Sequence, residues 1–406
     1  MSLFREIPPT AGLPIFALDI FSAFFRRNQP GSLEEDFKSY LGVPYAAVTY
    51  SGTAAFYIIL ESLKKLSSRK TVIIPSFICP LIALAVKRAG LKVLVCDINK
   101  DSFDFEINRL KELCSKNSDI LAVVATHLAG IPLRIEAVQT IAKENGIFVV
   151  EDCAQSLGAT YQGKKTGTFG DFAFFSLCRG KGLTIYEGGV IVSSSKFAPL
   201  IEGELNAIAK TDLISESLKI LELFGYWIFY RPLLFWFVFK APQVFWQALG
   251  KIEKAFIEYF DINFPVHKVS GIRKQIAHAM FYRLAGEVSK QRQIAAEYAA
   301  GLKNAPGIKL ITEPDGALSN YPYLTLLFDD ASKRNKAFNA LNNSGLGVSL
   351  IYLSAVTDYP YLKEITGNSD TPNGRFIARN HITLTTSTFL TPKDICRLIE
   401  RIKKYK

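Results

Sequence analysis

Cysteine is sparse and scattered in this chain of 406 residues: Cys79, Cys96, Cys114, Cys153, Cys178 and Cys396 form no CxxC pair and no cluster. That excludes a disulfide framework and a cysteine-based zinc site, so no metal is expected and a reducing compartment fits. The opening MSLFREIPPTAG has no basic stretch leading into an apolar run and a small-residue cleavage site. A secretory leader is therefore not expected, and the chain reads as cytoplasmic. No run of five basic residues occurs, nor any zinc-finger or RNP-type aromatic pattern, which argues against a polynucleotide partner despite a net charge of +11. The charge suits phosphorylated small molecules or an anionic membrane face. With 21% charged and 12% aromatic residues the chain is neither disordered nor a coiled coil. It is a globular protein with ample core and room for more than one domain.

Short apolar runs alternate with helical patterns through the first half. Residues 46–49, 71–75, 92–96, 120–125, 147–151, 172–176 and 189–193 read as strands, and 51–63, 81–89, 110–113 and 135–145 as helices between them. The runs VIIP, VLVC, LAVVA and FVV are nearly continuous in β-branched or apolar residues, as strands covered on both faces must be. An α/β fold follows, with a mostly parallel seven-stranded sheet between helices. Residues 275–302 are helical, and the strand candidates 307–312, 321–328, 347–351 and 381–385 with helices 332–344 and 391–405 predict a smaller α+β C-terminal domain. The expected division is 1–200, with help from 265–290, for the large domain, 201–264 for an aromatic-rich insertion, and 265–406 for the small domain.

The block VVEDCAQSLGATYQGKKTGTFGDFAFFSLCRGKGLTIYEGG, residues 149–189, carries the chemistry. Asp152 ends a buried strand, and open α/β sheets bind ligands outside those carboxyl ends. Lys181 follows the next strand, FAFFS, so a carboxylate and an amine face one crevice. This pair suits pyridoxal phosphate, which needs an amine for a Schiff base and an acid to keep its ring nitrogen protonated. YSGTAAF, residues 50–56, adds a strand end turning into a helix N-terminus, a cradle for phosphate, and Ser176 can join it. Taken singly, SGT is an N-cap, the Asp a turn residue and the Lys a solvated side chain. Their joint arrangement favours the cofactor site.

These motifs resemble the DegT/DnrJ/StrS sugar aminotransferases, fold-type I enzymes that use pyridoxal 5'-phosphate. The resemblance rests on SGTAA (51–55), VIIPSF (72–77), THLAGIP (126–132), EDCAQSLGATYQGKKTGTFGD (151–171), FSLCRGK (175–181) and EGG (187–189), and is looser over 265–400. It implies an aminotransferase that moves an amino group from an amino acid, glutamate being the expected donor, to a keto sugar, expected to be nucleotide-linked. Lys181 and Asp152 are implied as catalytic. Gly52, Thr53, Cys79, Asp152, Gln155, Ser176, Lys181 and Arg273 are implied to bind cofactor, with Gln155 on the ring-hydroxyl side and Gly52, Thr53 and Ser176 on the phosphate. A homodimer with shared active sites is implied, Arg273 standing where the family has an N-x-R segment reaching a neighbouring subunit's phosphate. His127 aligns with the family's H-L-x-G histidine, with a packing role and an active-site role both open.

The chain also departs from the pattern. Cys79 stands where many members have an aromatic that stacks on the cofactor, and SGIRKQ lacks the asparagine beside Arg273. CRG before Lys181 puts Arg179 near the cofactor, either to read a substrate phosphate or as a surface charge. Alternatives within the fold are a sugar dehydratase or cyclitol aminotransferase, and outside catalysis a membrane-associated relative. Deoxygenating members replace the lysine with histidine, whereas Lys181 is kept. The segment 214–250 holds all three Trp, at 227, 236 and 246, and two charge-free runs, 223–230 and 232–239, too short to span a bilayer. Pro232 is expected to start a second helix there. Three readings of the segment stay open: a dimer interface, a peripheral patch at the inner membrane face using Lys219, Arg231 and Lys240, and a groove for a lipid-linked sugar.

Overall fold

The computed structural model describes residues 4–25, 31–249 and 259–405. Its main sheet contains β1 (Tyr45–Thr49), β2 (Thr71–Pro75), β3 (Lys92–Cys96), β4 (Ile120–Thr126), β5 (Phe148–Asp152), β6 (Phe172–Ser176) and β7 (Gly189–Ser193). They lie in the order β1-β7-β6-β5-β4-β2-β3. The stretch from β3 to β6 is parallel, whereas β7 runs antiparallel to both β6 and β1. The reason is local. A parallel return needs a crossover element, and residues 177–188 form no helix, so the chain comes straight back beside β6.

Helices cover both faces, which is why the strands carry unbroken apolar runs. Ahead of the sheet stand α1 (Ala17–Phe25) and α2 (Leu33–Leu41). Between or after strands come α3 (Gly52–Leu66), α4 (Pro80–Arg88), α5 (Ile107–Lys116), α6 (Ile135–Asn145) and α7 (Ala198–Ile208). One face buries Phe172, Phe174 and Ile191 under α3, α4 and α7. The other buries Ile73, Val123 and Val149 under α5 and α6, and Val48, Phe175 and Val190 under α1 and α2.

The aromatic segment folds as α8 (Leu213–Phe229), α9 (Pro232–Phe235), a π-helical turn Trp236–Lys240 and α10 (Ala241–Ala248). Pro232 occupies the first turn of α9 after an extended Arg231, as its fixed φ and missing N–H favour. Residues 250–258 of the 201–264 segment lie outside the described residues. Among the described residues no helix is long and apolar enough to cross a membrane. The outer face of α8 is apolar all the same, with Ile214 78% and Leu221 67% exposed. The three cations expected to meet anionic lipid all turn inward, which removes the charge basis of the membrane patch. Lys219 pairs with Glu187 and Glu222, Arg231 donates to the Ile15 carbonyl, and Lys240 donates to the Asn342 carbonyl.

The span 275–302 forms two helices, α11 (Gly271–Phe281) and α12 (Leu284–Leu302), with Arg283 at the junction tied to Asp19 and the Pro14 carbonyl. Beyond them β8 (Ile308–Ile311), β9 (Tyr323–Phe328), α13 (Ala331–Asn342), β10 (Val348–Ser349), α14 (Pro372–Asn380), β11 (His381–Thr385) and α15 (Pro392–Ile402) build a second core around an antiparallel sheet, β8-β9-β11-β10. Asp97, just past β3, fixes this unit to the main sheet. Its carboxylate accepts from the Asn373 N–H (2.9 Å) and Gly374 N–H (3.0 Å) at the start of α14 and from Ser76 Oγ (2.6 Å). A carboxylate at a helix N-terminus is electrostatically favoured. The small unit is thereby seated over the carboxyl ends of β2 and β3.

Candidate active site

The cradle forms where β1 turns into α3. Ser51 is extended and its Oγ caps the helix by accepting from Ala54 N–H at 3.0 Å, while its carbonyl takes Ala55 N–H at 2.9 Å. The N–H groups of Gly52 and Thr53 remain as first-turn donors without a helical acceptor. Sterics hold the neighbouring strands close. A Cβ on Gly52 would lie 3.0 Å from Ser176 Cβ, and one on Gly189 only 2.3 Å from the Ser51 carbonyl oxygen. Two bare N–H groups, a helix N-terminus and the Ser176 hydroxyl thus meet at one point, a donor set that fits a phosphate.

Asp152 ends β5 and is buried. Its Oδ1 accepts from Ala154 N–H at 3.0 Å, and burial pushes its pKa up against the opposing pull of that N–H and of the charges of Lys181 and His127. Lys181 lies in the β6–β7 connection, close enough to act on both Asp152 and the Cys79 thiol. Cys79 immediately precedes Pro80 of α4, and burial raises its pKa to about 11, so the thiol stays protonated. Gln155 Oε1 accepts from Ala129 N–H (2.9 Å) and the Tyr323 hydroxyl (2.5 Å).

His127 resolves toward architecture. Its Nδ1 accepts from Leu133 N–H (3.1 Å), which leaves Nε2–H to donate to Glu151 Oε2 (2.9 Å). Glu151 is wholly buried and also accepts from the N–H groups of Gly167, Phe169 and Gly170 at 2.6–2.7 Å, gathering the loop before β6. His127, Glu151 and Cys153 are near enough to share an ion. The donors of the first two are already spent on these bonds.

A family model described as the DegT/DnrJ/EryC1/StrS aminotransferase family matches residues 25–198 and 267–403. The chain belongs to that family. An uncharacterised protein of Methanocaldococcus jannaschii is 22% identical over 91% of this chain and 88% of its own. GDP-perosamine synthase of Vibrio cholerae is 30% identical, over 40% of this chain and 43% of its own. The chain thus spans under half the length of that named relative. Among solved structures, a putative sugar aminotransferase from Streptococcus pneumoniae in its PMP form superposes with a TM-score of 0.77 at 18% identity, covering 98% of this chain and 99% of that one. PseC of Helicobacter pylori gives 0.74 at 16%, covering 99% of each. The fold is that of the fold-type I aminotransferases, and the family's cofactor is pyridoxal 5'-phosphate.

Against that family pattern, Gly52 and Thr53 at the start of α3, Cys79 before α4, and Asp152, Gln155, Ser176 and Lys181 at or after the ends of β5 and β6 all lie along the carboxyl edge of the sheet. Arg273 does not join them within its own chain. Its fully buried guanidinium is held within its own chain by Glu216 and the carbonyls of Ile185 and Glu187. Burying that charge demands such partners. Arg179 is exposed over the ring of Tyr186, 5.0 Å from its centroid, a cation at the rim. Two residues escaped the sequence reading, Tyr323 and Tyr352, brought in from the small domain. Tyr352 stands in GLGVSLIY, within the 265–400 span of looser resemblance.

Proposed function

We propose that the protein is a pyridoxal-phosphate-dependent aminotransferase that moves an amino group from an amino acid, glutamate being the expected donor, to a nucleotide-linked keto sugar. The observation that carries this reading is the convergence of a buried carboxylate, an amine and an N-terminal helix cradle at one crevice of the sheet. The bound cofactor supplies an electron sink that makes a carbon–hydrogen bond beside an amine acidic. Asp152 holds the ring nitrogen's proton, while Gly52, Thr53 and Ser176 hold the phosphate. Lys181 Nζ takes the proton from the donor's α carbon and returns it during amination of the keto carbon. The named relatives include GDP-perosamine synthase and UDP-sugar aminotransferases, which supports the sugar class. Retention of Lys181 favours transamination over dehydration.

We further propose a homodimer in the cytoplasm, supported by the family pattern and by the apolar outer face of α8. The test of the function is direct. Purified protein is incubated with the cofactor and single amino donors, conversion to the amine form is followed by absorbance, and sugar nucleotides are then screened by mass spectrometry. Conversion by no amino acid would overturn the reading.

A further inference from the structure

At position 79 the family resemblance calls for an aromatic that stacks on the cofactor, and this chain has a thiol. One heavy atom past Cβ covers little of a six-membered ring. The structure places a different ring beside that thiol. The Tyr352 hydroxyl hydrogen-bonds to Cys79 and accepts from Gln155 Nε2 at 3.5 Å. Gln155 is itself fixed by Ala129 and Tyr323, as described above. The Tyr352 ring meets Phe77 edge to face, centroids 5.5 Å apart at 70°. Cys79, Tyr323 and Asp152 all act on the Tyr352 phenol, which burial keeps protonated. Its hydroxyl is therefore within the group formed by Cys79, Gln155 and Asp152, and Lys181 acts on two of those three. Tyr352 follows β10, in the unit that Asp97 seats over β2 and β3, and so reaches Cys79 from the small domain.

We propose that Tyr352 replaces the aromatic missing at 79, its ring covering the cofactor from the small domain while Cys79 stays small to admit it. This rests on the aminotransferase reading and names the residue that completes that site. A covering ring contributes through its face, so Phe at 352 keeps the function and Ala does not. The ring and the residue it displaces are also interchangeable: an aromatic returned to 79 compensates for an Ala at 352.

The experiment titrates pyridoxal 5'-phosphate into the full-length protein and into Tyr352→Phe, Tyr352→Ala and the double variant Cys79→Tyr with Tyr352→Ala. Affinity is read from absorbance, and visible circular dichroism reports how rigidly the bound ring is held. Far-ultraviolet dichroism and melting temperature confirm that each variant folds, with Cys79→Phe substituted for Cys79→Tyr if the latter does not. Tyr352→Phe is expected to bind within about threefold of wild type, and Tyr352→Ala about tenfold more weakly with a diminished visible band. The double variant is expected to recover most of both signals. Wild-type affinity and dichroism in Tyr352→Ala, equal losses in Phe and Ala, or no recovery in a folded double variant would each overturn the proposal. Failure of the wild-type protein itself to bind the cofactor would instead overturn the aminotransferase reading on which it stands.

Discussion

Arg273 and Glu216 form a buried ion pair in which both carboxylate oxygens meet the guanidinium, and Glu216 Oε2 also accepts from Ser270 N–H at 2.7 Å. The pair joins α11 to α8 and, through the carbonyls of Ile185 and Glu187, to the connection that carries Lys181. Removing one partner strands a buried charge, at a cost of roughly 3–5 kcal/mol. Arg273→Ala is therefore expected to lower the melting temperature sharply, and mixing it with Lys181→Ala subunits to restore no activity. An unchanged melting temperature with recovery in the mixture would return Arg273 to a neighbour's site.

Lys181 is expected to carry the covalent link to the cofactor. Borohydride treatment of the loaded protein should leave a mass label on the peptide containing Lys181, and none in Lys181→Ala. A label that persists in the variant would assign the amine elsewhere.

Asp152 is the residue most sensitive to charge. Asp152→Asn is expected to retain bound cofactor while cutting turnover by several orders of magnitude, because a neutral ring is a poor electron sink. Burial raises the Asp152 pKa, so protonation sets in at a higher pH than for an exposed Asp. Cofactor affinity should accordingly fall on the acid side, and Asp152→Asn should lose that acid limb. Near-normal turnover in the variant would remove Asp152 from the mechanism.

The strands were legible because β2 through β5 are sandwiched between helices, which forces a run of apolar residues that no solvated strand would carry. The two-residue pairing of Thr160–Tyr161 with Lys164–Lys165 has too little length for any period, and it escaped notice. Asp152, Gln155, Ser176 and Lys181 stood out as candidates in the sequence because Asp152 and Ser176 close strands and Gln155 and Lys181 follow a few residues later. Tyr323 and Tyr352 did not, because only the docking of the small domain, 168 positions from Gln155 in the case of Tyr323, brings them there. Glu151 was visible in the motif but mute: its role is to collect three backbone N–H groups from a loop whose shape the sequence does not announce. The Glu216 partner of Arg273 was invisible for the same reason, since a cation at a motif position looks the same in sequence whether it faces a phosphate or a buried glutamate.

Gly189 tests the cradle without touching a donor. Its missing Cβ is what lets β7 pass the Ser51 carbonyl, and Gly189→Ala puts a methyl 2.3 Å from that oxygen. Ser51 is expected to shift, loosening the Gly52 and Thr53 N–H groups together. Cofactor affinity should then drop by about tenfold or more, whereas free pyridoxal, lacking the phosphate, should bind the variant and wild type alike. Equal losses for both ligands would mean that the damage is general.

Glu6 gives the structure a pH dependence outside the site. It is buried between α9 and the small domain, its N–H donating to the Pro232 carbonyl at 2.8 Å, and desolvation pushes its carboxyl up to about 7 despite the attraction of Lys240. Burial pulls the Lys240 pKa down in turn, so both groups favour the neutral form. The folded protein therefore holds the Glu6 proton more tightly than the unfolded chain does. This contribution to stability is fully present below the usual carboxyl value of 4.5 and is lost as pH rises through about 7. Its full size is at most about 3 kcal/mol. Melting temperature should consequently decline between about pH 4.5 and 7 in the wild-type protein, the interval the two values span. Glu6→Gln, neutral throughout, should flatten that slope and melt higher than wild type at the alkaline end. A variant that keeps the wild-type slope would show that Glu6 is already ionised in the fold and that its Lys240 partner neutralises it there.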